Sequence, residues 1–153
     1  MSKINEFKGF KHTFKTVYDY MAIVEKGLNG DMVLALTPAT LGSSAVAVTT
    51  AIAGASGKFT RTVTVTLKTA SGEVCTFLNG TFAVAVTETT AGNGTSALAG
   101  GVSTIALVNG IGTINIEYTG AWASGDTQTL TVTGGTKLGY TITDKTSVDT
   151  LIA

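Results

Sequence analysis

Threonine alternates with apolar side chains along much of this chain, and that rhythm limits what it can fold into. Phe59, Arg61, Val63, Val65 and Leu67 alternate with Thr60, Thr62, Thr64 and Thr66; Ile114, Ile116 and Tyr118 alternate with Thr113, Asn115 and Glu117. Leu130 and Val132 alternate with Thr127, Thr129, Thr131 and Thr133. Successive side chains of a strand point to opposite faces, so each run reads as a strand with one dry face and threonine on the wet one. Weaker runs of the same kind cover 32–36, 44–52, 74–78, 81–87 and 104–108. Turn chemistry falls between them at Ser71-Gly72, Asn79-Gly80, Gly92-Asn93-Gly94, Asn109-Gly110 and Gly134-Gly135. The stretch 140–148 adds another strand or bridges to a neighbour. No segment after Leu28 has helical spacing, so the crossovers of a parallel α/β fold are missing, and the pattern predicts an antiparallel β-sandwich.

Composition narrows the partners. The chain has 153 residues, 44% of them hydrophobic, with a mean hydropathy of +0.35, enough for the core of one domain. Charged residues are only 13%, against about 25% in ordinary soluble domains. Ten basic residues balance ten acidic ones, whereas a nucleic-acid binder needs surplus cations to displace counterions, so no nucleic acid is expected. A single Cys excludes an intrachain disulfide, and a single His excludes a His-rich metal site. Charges recur from Lys3 to Lys11, so this stretch is not a secretory signal. Residues 32–57 carry no charge, but Pro38, Gly42, Ser43 and Gly54 interrupt them and no membrane span is expected. The reading is a protein made in a cytoplasm and not secreted by a signal peptide.

The first 31 residues have another texture. They hold Lys3, Lys8, Lys11, Lys15, Lys26, Glu6, Asp19, Glu25 and Asp31, nearly half of all the charges in a fifth of the length. Phe7, Phe10, Phe14, Val17, Tyr18, Met21, Val24 and Leu28 recur at steps of three and four, which predicts a helix with one apolar stripe from about Lys11 to Lys26. The turn-forming Gly27-Leu-Asn-Gly-Asp31 closes it, dividing the chain into an arm (1–31) and a β domain (32–153). A lone helix of this length is marginal in water, so the stripe needs a surface. Its own β domain is one such surface and a second protein is another; a membrane fits less well, because acids offset the lysines and no Arg is present there.

Little in the chain carries catalytic chemistry. His12 lies in the arm without an orienting acid, Cys75 reads as a small buried residue, and the acids Glu73, Glu88, Glu117, Asp126, Asp144 and Asp149 are scattered. No calcium loop, phosphate loop or nucleophile–base pair is present, so no catalytic, cofactor or metal residue is assigned and an enzyme is not expected. Trp122 and Tyr118 could stack on a sugar, although a tryptophan closing one end of the core is the plainer role for Trp122.

Two stretches carry a family resemblance. The strand, small Gly turn and following strand of 62–74, and the sequence Asn109-Gly110-Ile111-Gly112 leading into the alternating run 113–118, resemble bacterial immunoglobulin-like domains of the invasin and intimin type. The likeness covers about 58–134 and departs from the family at Glu73-Val74-Cys75, where a proline usually stands. It implies an Ig-like sandwich without catalytic residues; a jelly roll is the competing topology. The whole organisation, an arm followed by a threonine-rich β domain, is similar to small tailed-phage virion proteins. That resemblance implies a capsid-decoration protein docking through Phe7, Phe10, Phe14, Val17, Tyr18, Met21 and Val24 on a capsid or other virion protein, as a homo-oligomer or array. A phage tail protein and a carbohydrate- or cell-surface-binding adhesin-like module are the alternatives.

Overall fold

The computed structural model describes residues 31–40, 58–90, 94–137 and 140–151. Among these described residues ten strands follow in order: β1 (Asp31–Thr37), β2 (Phe59–Thr69), β3 (Gly80–Thr89), β4 (Thr95–Leu98), β5 (Thr104–Leu107), β6 (Ile111–Thr119), β7 (Thr127–Val132), β8 (Gly135–Lys137), β9 (Tyr140–Ile142) and β10 (Lys145–Thr150). They build a six-stranded sheet, ordered β4-β6-β2-β1-β9-β8, and a four-stranded sheet, ordered β10-β7-β3-β5. Only β1 with β9 is parallel among the described pairings.

The period-two pattern decides which face of each strand is dry. Val63, Val65 and Leu67 of β2 are buried while Thr60 and Thr62 face solvent. The same holds for Ile114, Ile116 and Tyr118 on β6, and for Leu130 and Val132 on β7. The two dry faces meet in one apolar core, with Leu34, Val65 and Ile116 from the larger sheet and Phe82, Leu107 and Leu130 from the smaller. Each such side chain contributes about 1.5–3 kcal/mol by leaving water.

One tight turn joins the sheets. Val108 and Ile111 exchange backbone hydrogen bonds of 2.9 and 3.1 Å around Asn109-Gly110, which carries the chain from β5 in one sheet to β6 in the other. Both turn residues have positive φ, 52° and 75°, the two-residue hairpin conformation that Asn-Gly favours. Gly110 is also wedged into its neighbours. Its N–H donates to the Leu78 carbonyl and its carbonyl accepts from Leu67 N–H, both at 2.8 Å. A Cβ at this position would lie 2.6 Å from the Cys75 carbonyl oxygen.

Several expectations are corrected. Residues 74–78 are a single bridge, Val74 to Lys68, followed by a turn in which Leu78 N–H donates to the Cys75 carbonyl. Because that segment coils back on the end of β2, Cys75 and Leu78 are both buried, where a strand would have sent them to opposite faces. The stretch 140–148 is not one strand. β9 joins the larger sheet and β10 the smaller, and the Asp144 carboxylate accepts from Gly134 N–H at 2.8 Å in the crossing between them. The expected helical arm and the run 44–52 lie outside the described residues.

Gly110→Ala is expected to cost about 2–4 kcal/mol, from left-handed strain together with the clash on Cys75. Urea unfolding of the variant measures it; a loss below about 0.5 kcal/mol means the wedge is not tight.

Candidate functional site

Where β1 stops and β2 begins, the apolar core between the sheets gives way to polar side chains. Arg61 stands in the dry phase of β2 and Asp149 in the dry phase of β10, and they form an ion pair across the sheets with side chains only 3% and 2% exposed. Arg61 also donates through Nη2 to the Pro38 carbonyl at 2.9 Å, just past the end of β1. A second bridge runs beside it, from the Tyr118 hydroxyl on β6 to Gln128 Oε1 on β7 at 2.9 Å. The turn leading into β7 is closed by Asp126, whose carboxylate accepts from Ala123 N–H at 2.8 Å. Arg61 Nε, Gln128 Nε2 and Ser147 Oγ have no protein partner among the described residues, and leaving them so offsets part of what the bonded atoms contribute.

The chemistry open to this cluster is narrow. Burial, reinforced by the nearby Asp149 charge and opposed by Arg61, pushes the Tyr118 phenol up to about 12, so it remains a protonated donor at ordinary pH. Arg61, Tyr118, Gln128 and Asp149 are all buried, so none presents a basic atom to a substrate in solution. What the arrangement does is fasten one sheet to the other at a fixed register. Among the described residues no group of three or more His, Cys, Asp or Glu side chains is placed to hold a metal ion. Among them, too, no helix is long and apolar enough to cross a membrane.

The structure brings Trp122 and Tyr118 together in direct ring contact. Tyr118 is 0% and Trp122 7% exposed. Their rings meet edge to face at 5.4 Å, and Tyr118 also meets Phe59 edge to face at 6.0 Å. Trp122 Nε1 donates to the Thr119 carbonyl, and Gly94 lies so close to the indole that a Cβ there would fall 2.7 Å from it. Aromatic contacts and backbone thus cover both rings, and Trp122 closes one end of the core. The arm residues from Phe7 to Val24, and His12 with them, lie outside the described residues.

The outward faces hold the remaining surface. On the four-stranded sheet the outward rungs across β10, β7 and β3 read Thr150-Thr127-Thr89, Val148-Thr129-Thr87 and Thr146-Thr131-Ala85. Beyond them, Thr81 and Ala83 of β3 pair with Ala106 and Thr104 of β5. Not one of these side chains is charged. The six-stranded sheet is less uniform, with Lys68 on its outward face and an ion pair between Lys58 and Glu117 at 2.6 Å. Val33, Val108 and Ile111 are exposed apolar residues near its β1 start and the interlayer turn.

The sequence matches no protein family and no curated protein. Among solved structures, it is similar to the crystal structure of domains 4 and 5 of the S-layer protein SbsC, at 22% identity and a TM-score of 0.33, over 62% of this chain. The chain spans only 38% of that structure. It is also similar to a conjugative transposon lipoprotein from Bacteroides eggerthii, at 12% identity and a TM-score of 0.37, covering 77% of this chain and 95% of the other.

Two outcomes follow from the buried cluster. Arg61→Met alone is expected to cost about 3–5 kcal/mol by stranding the Asp149 charge, and Arg61→Met with Asp149→Leu to regain most of it, read by urea unfolding. Tyr118 holds its proton more tightly folded than unfolded, so its contribution is complete below pH 10 and fades as pH rises toward 12. Wild type should therefore lose on the order of 2 kcal/mol more than Tyr118→Phe across that window.

Proposed function

We propose that this chain is a structural protein of a tailed-phage virion, a capsid-decoration protein that docks through residues 1–31 and displays an Ig-like β-sandwich. The observation that carries the reading is the outward face of the four-stranded sheet, which bears threonine, alanine and valine and no charge. Long charged side chains lose entropy and hydration when surfaces crowd together, so a face without them suits dense packing on a particle. The low charge of the whole chain, 13%, supports the same setting. With one Cys, buried in the core, the fold is held without an intrachain disulfide, which suits assembly inside a host cell.

Strand order supports the Ig-like part. An Ig sandwich places D-E-B-A in one sheet and C-F-G in the other. The order β4-β6-β2-β1 takes the first role and β3-β7-β10 the second, with β5 added beside β3. The hairpin β8-β9 is an insertion before the last strand, and it widens the larger sheet through the parallel pairing of β9 with β1. Docking falls to the arm, because its apolar residues at helical spacing need a surface, and a virion protein would provide it.

Deleting residues 1–30 is expected to leave the circular dichroism of the β domain intact and to abolish co-sedimentation with the particle. Undiminished attachment of that truncated chain would count directly against the arm as anchor.

A further inference from the structure

Proteins protect the open edges of their sheets, because unpaired peptide groups invite another strand. Among the described residues, three of the four sheet edges are protected by shortness: β4 has four residues, β5 four and β8 three. β10 is different. It has six residues, with no proline and an unbroken register against β7 from Lys145–Val132 to Thr150–Thr127. Its outward side chains are Thr146, Val148 and Thr150, and Val148 is 54% exposed. Of its two charges, Asp149 points inward to Arg61 and Lys145 stands at the very start.

The direction of its free peptide groups is fixed by its last neighbour. Leu151 N–H donates to the Asp126 carbonyl and the Leu151 carbonyl accepts from Gly125 N–H, both at 2.7 Å, so residue 151 turns both groups toward the β7 side. Peptide groups alternate along an extended strand. Lys145, Ser147 and Asp149 therefore bond toward β7, while Thr146, Val148 and Thr150 aim theirs at the open edge.

We propose that β10 is a dimerisation edge, pairing antiparallel with β10 of a second copy of this chain about a twofold axis through Val148. The three outward-directed residues are symmetric about Val148, which is why a second copy suits the edge. Val148 meets its own counterpart, Thr146 meets Thr150 of the second copy, and all outward-aimed groups are satisfied in roughly six bonds. Centring the axis on Ser147 or Asp149 instead satisfies only about four. In the Val148 register Lys145 faces Leu151 and Asp149 faces Ser147, so no like charges oppose. The result is one continuous eight-stranded sheet whose charge-free outer face is doubled. A single strand edge covers less than the roughly 800 Å² per partner of a standard interface, so the dimer is weak and concentration-dependent. The proposal does not rest on the virion reading.

Sedimentation velocity of the full chain from about 5 μM to about 1 mM is expected to show a monomer becoming a dimer. Val148→Lys and Val148→Asp each place like charges opposite one another and should weaken association at least about tenfold, with an unchanged melting temperature because the site is exposed. An equimolar mixture of the two should dimerise again, Lys against Asp. A monomer at every concentration overturns the proposal, as does wild-type association in either variant, or a mixture that stays monomeric. Particle attachment is read separately, so loss of the anchoring role leaves this result standing.

Discussion

A β-strand in a sheet covered on one face buries mainly every second side chain, and much else in this molecule is arranged around that restriction. With dry residues on one side of each strand, a single sheet would leave its whole apolar face in water, so two sheets must close on each other. Val65, Leu67 and Ile116 on one side and Phe82, Leu107 and Leu130 on the other fill the space between. Threonine takes the wet positions because its branched side chain fits the pleat while its hydroxyl keeps water. A surface made that way carries few charges, and the functional reading grows from this consequence of the fold.

The restriction has one conspicuous exception. Arg61 occupies a dry position, and its charge is tolerated because Asp149 reaches it from the opposite sheet and the Pro38 carbonyl takes a second donor. Burying two charges is costly, and a well-packed apolar pair would serve stability as well or better. What the pair adds is direction. It ties the last strand, at an edge of the smaller sheet, to the centre of the larger one, beside the Tyr118–Gln128 bridge. β10 is thereby held to the larger sheet through the Asp149 side chain, while alternate peptide groups along it bond to β7.

Much of this was legible in the residues, and the failures have physical causes. The alternations at 59–67, 113–118 and 127–133 became β2, β6 and β7, since period two is a local property of a half-buried strand. The 74–78 run misled because Cys75 and Leu78 are buried by a turn, which spaces inward residues by three instead of two. Arg61 shared the phase of Val63 and Val65, but the alternation alone did not show that it is a buried cation paired with an acid. Asp149 gave no matching signal, because in β10 the polar residues face in and Val148 faces out, the reverse of the usual pattern. Trp122 was readable as a core-closing residue, yet its cover comes from Tyr118 and Gly94, whose closeness no spacing reveals.

By itself, the sequence determined where the strongly alternating strands form, which of their faces is dry, and the tight reversal at Asn109-Gly110, because these depend on side-chain alternation and on backbone preferences of a few adjacent residues. Tertiary structure decided which strands are neighbours, how ten of them divide between two sheets, and that the residue balancing Arg61 lies 88 positions away. Backbone hydrogen bonds are nearly the same for any pair of strands, so local pattern cannot choose among partners. That choice belongs to the packing of the whole core, which covers the apolar faces and brings Arg61 to Asp149.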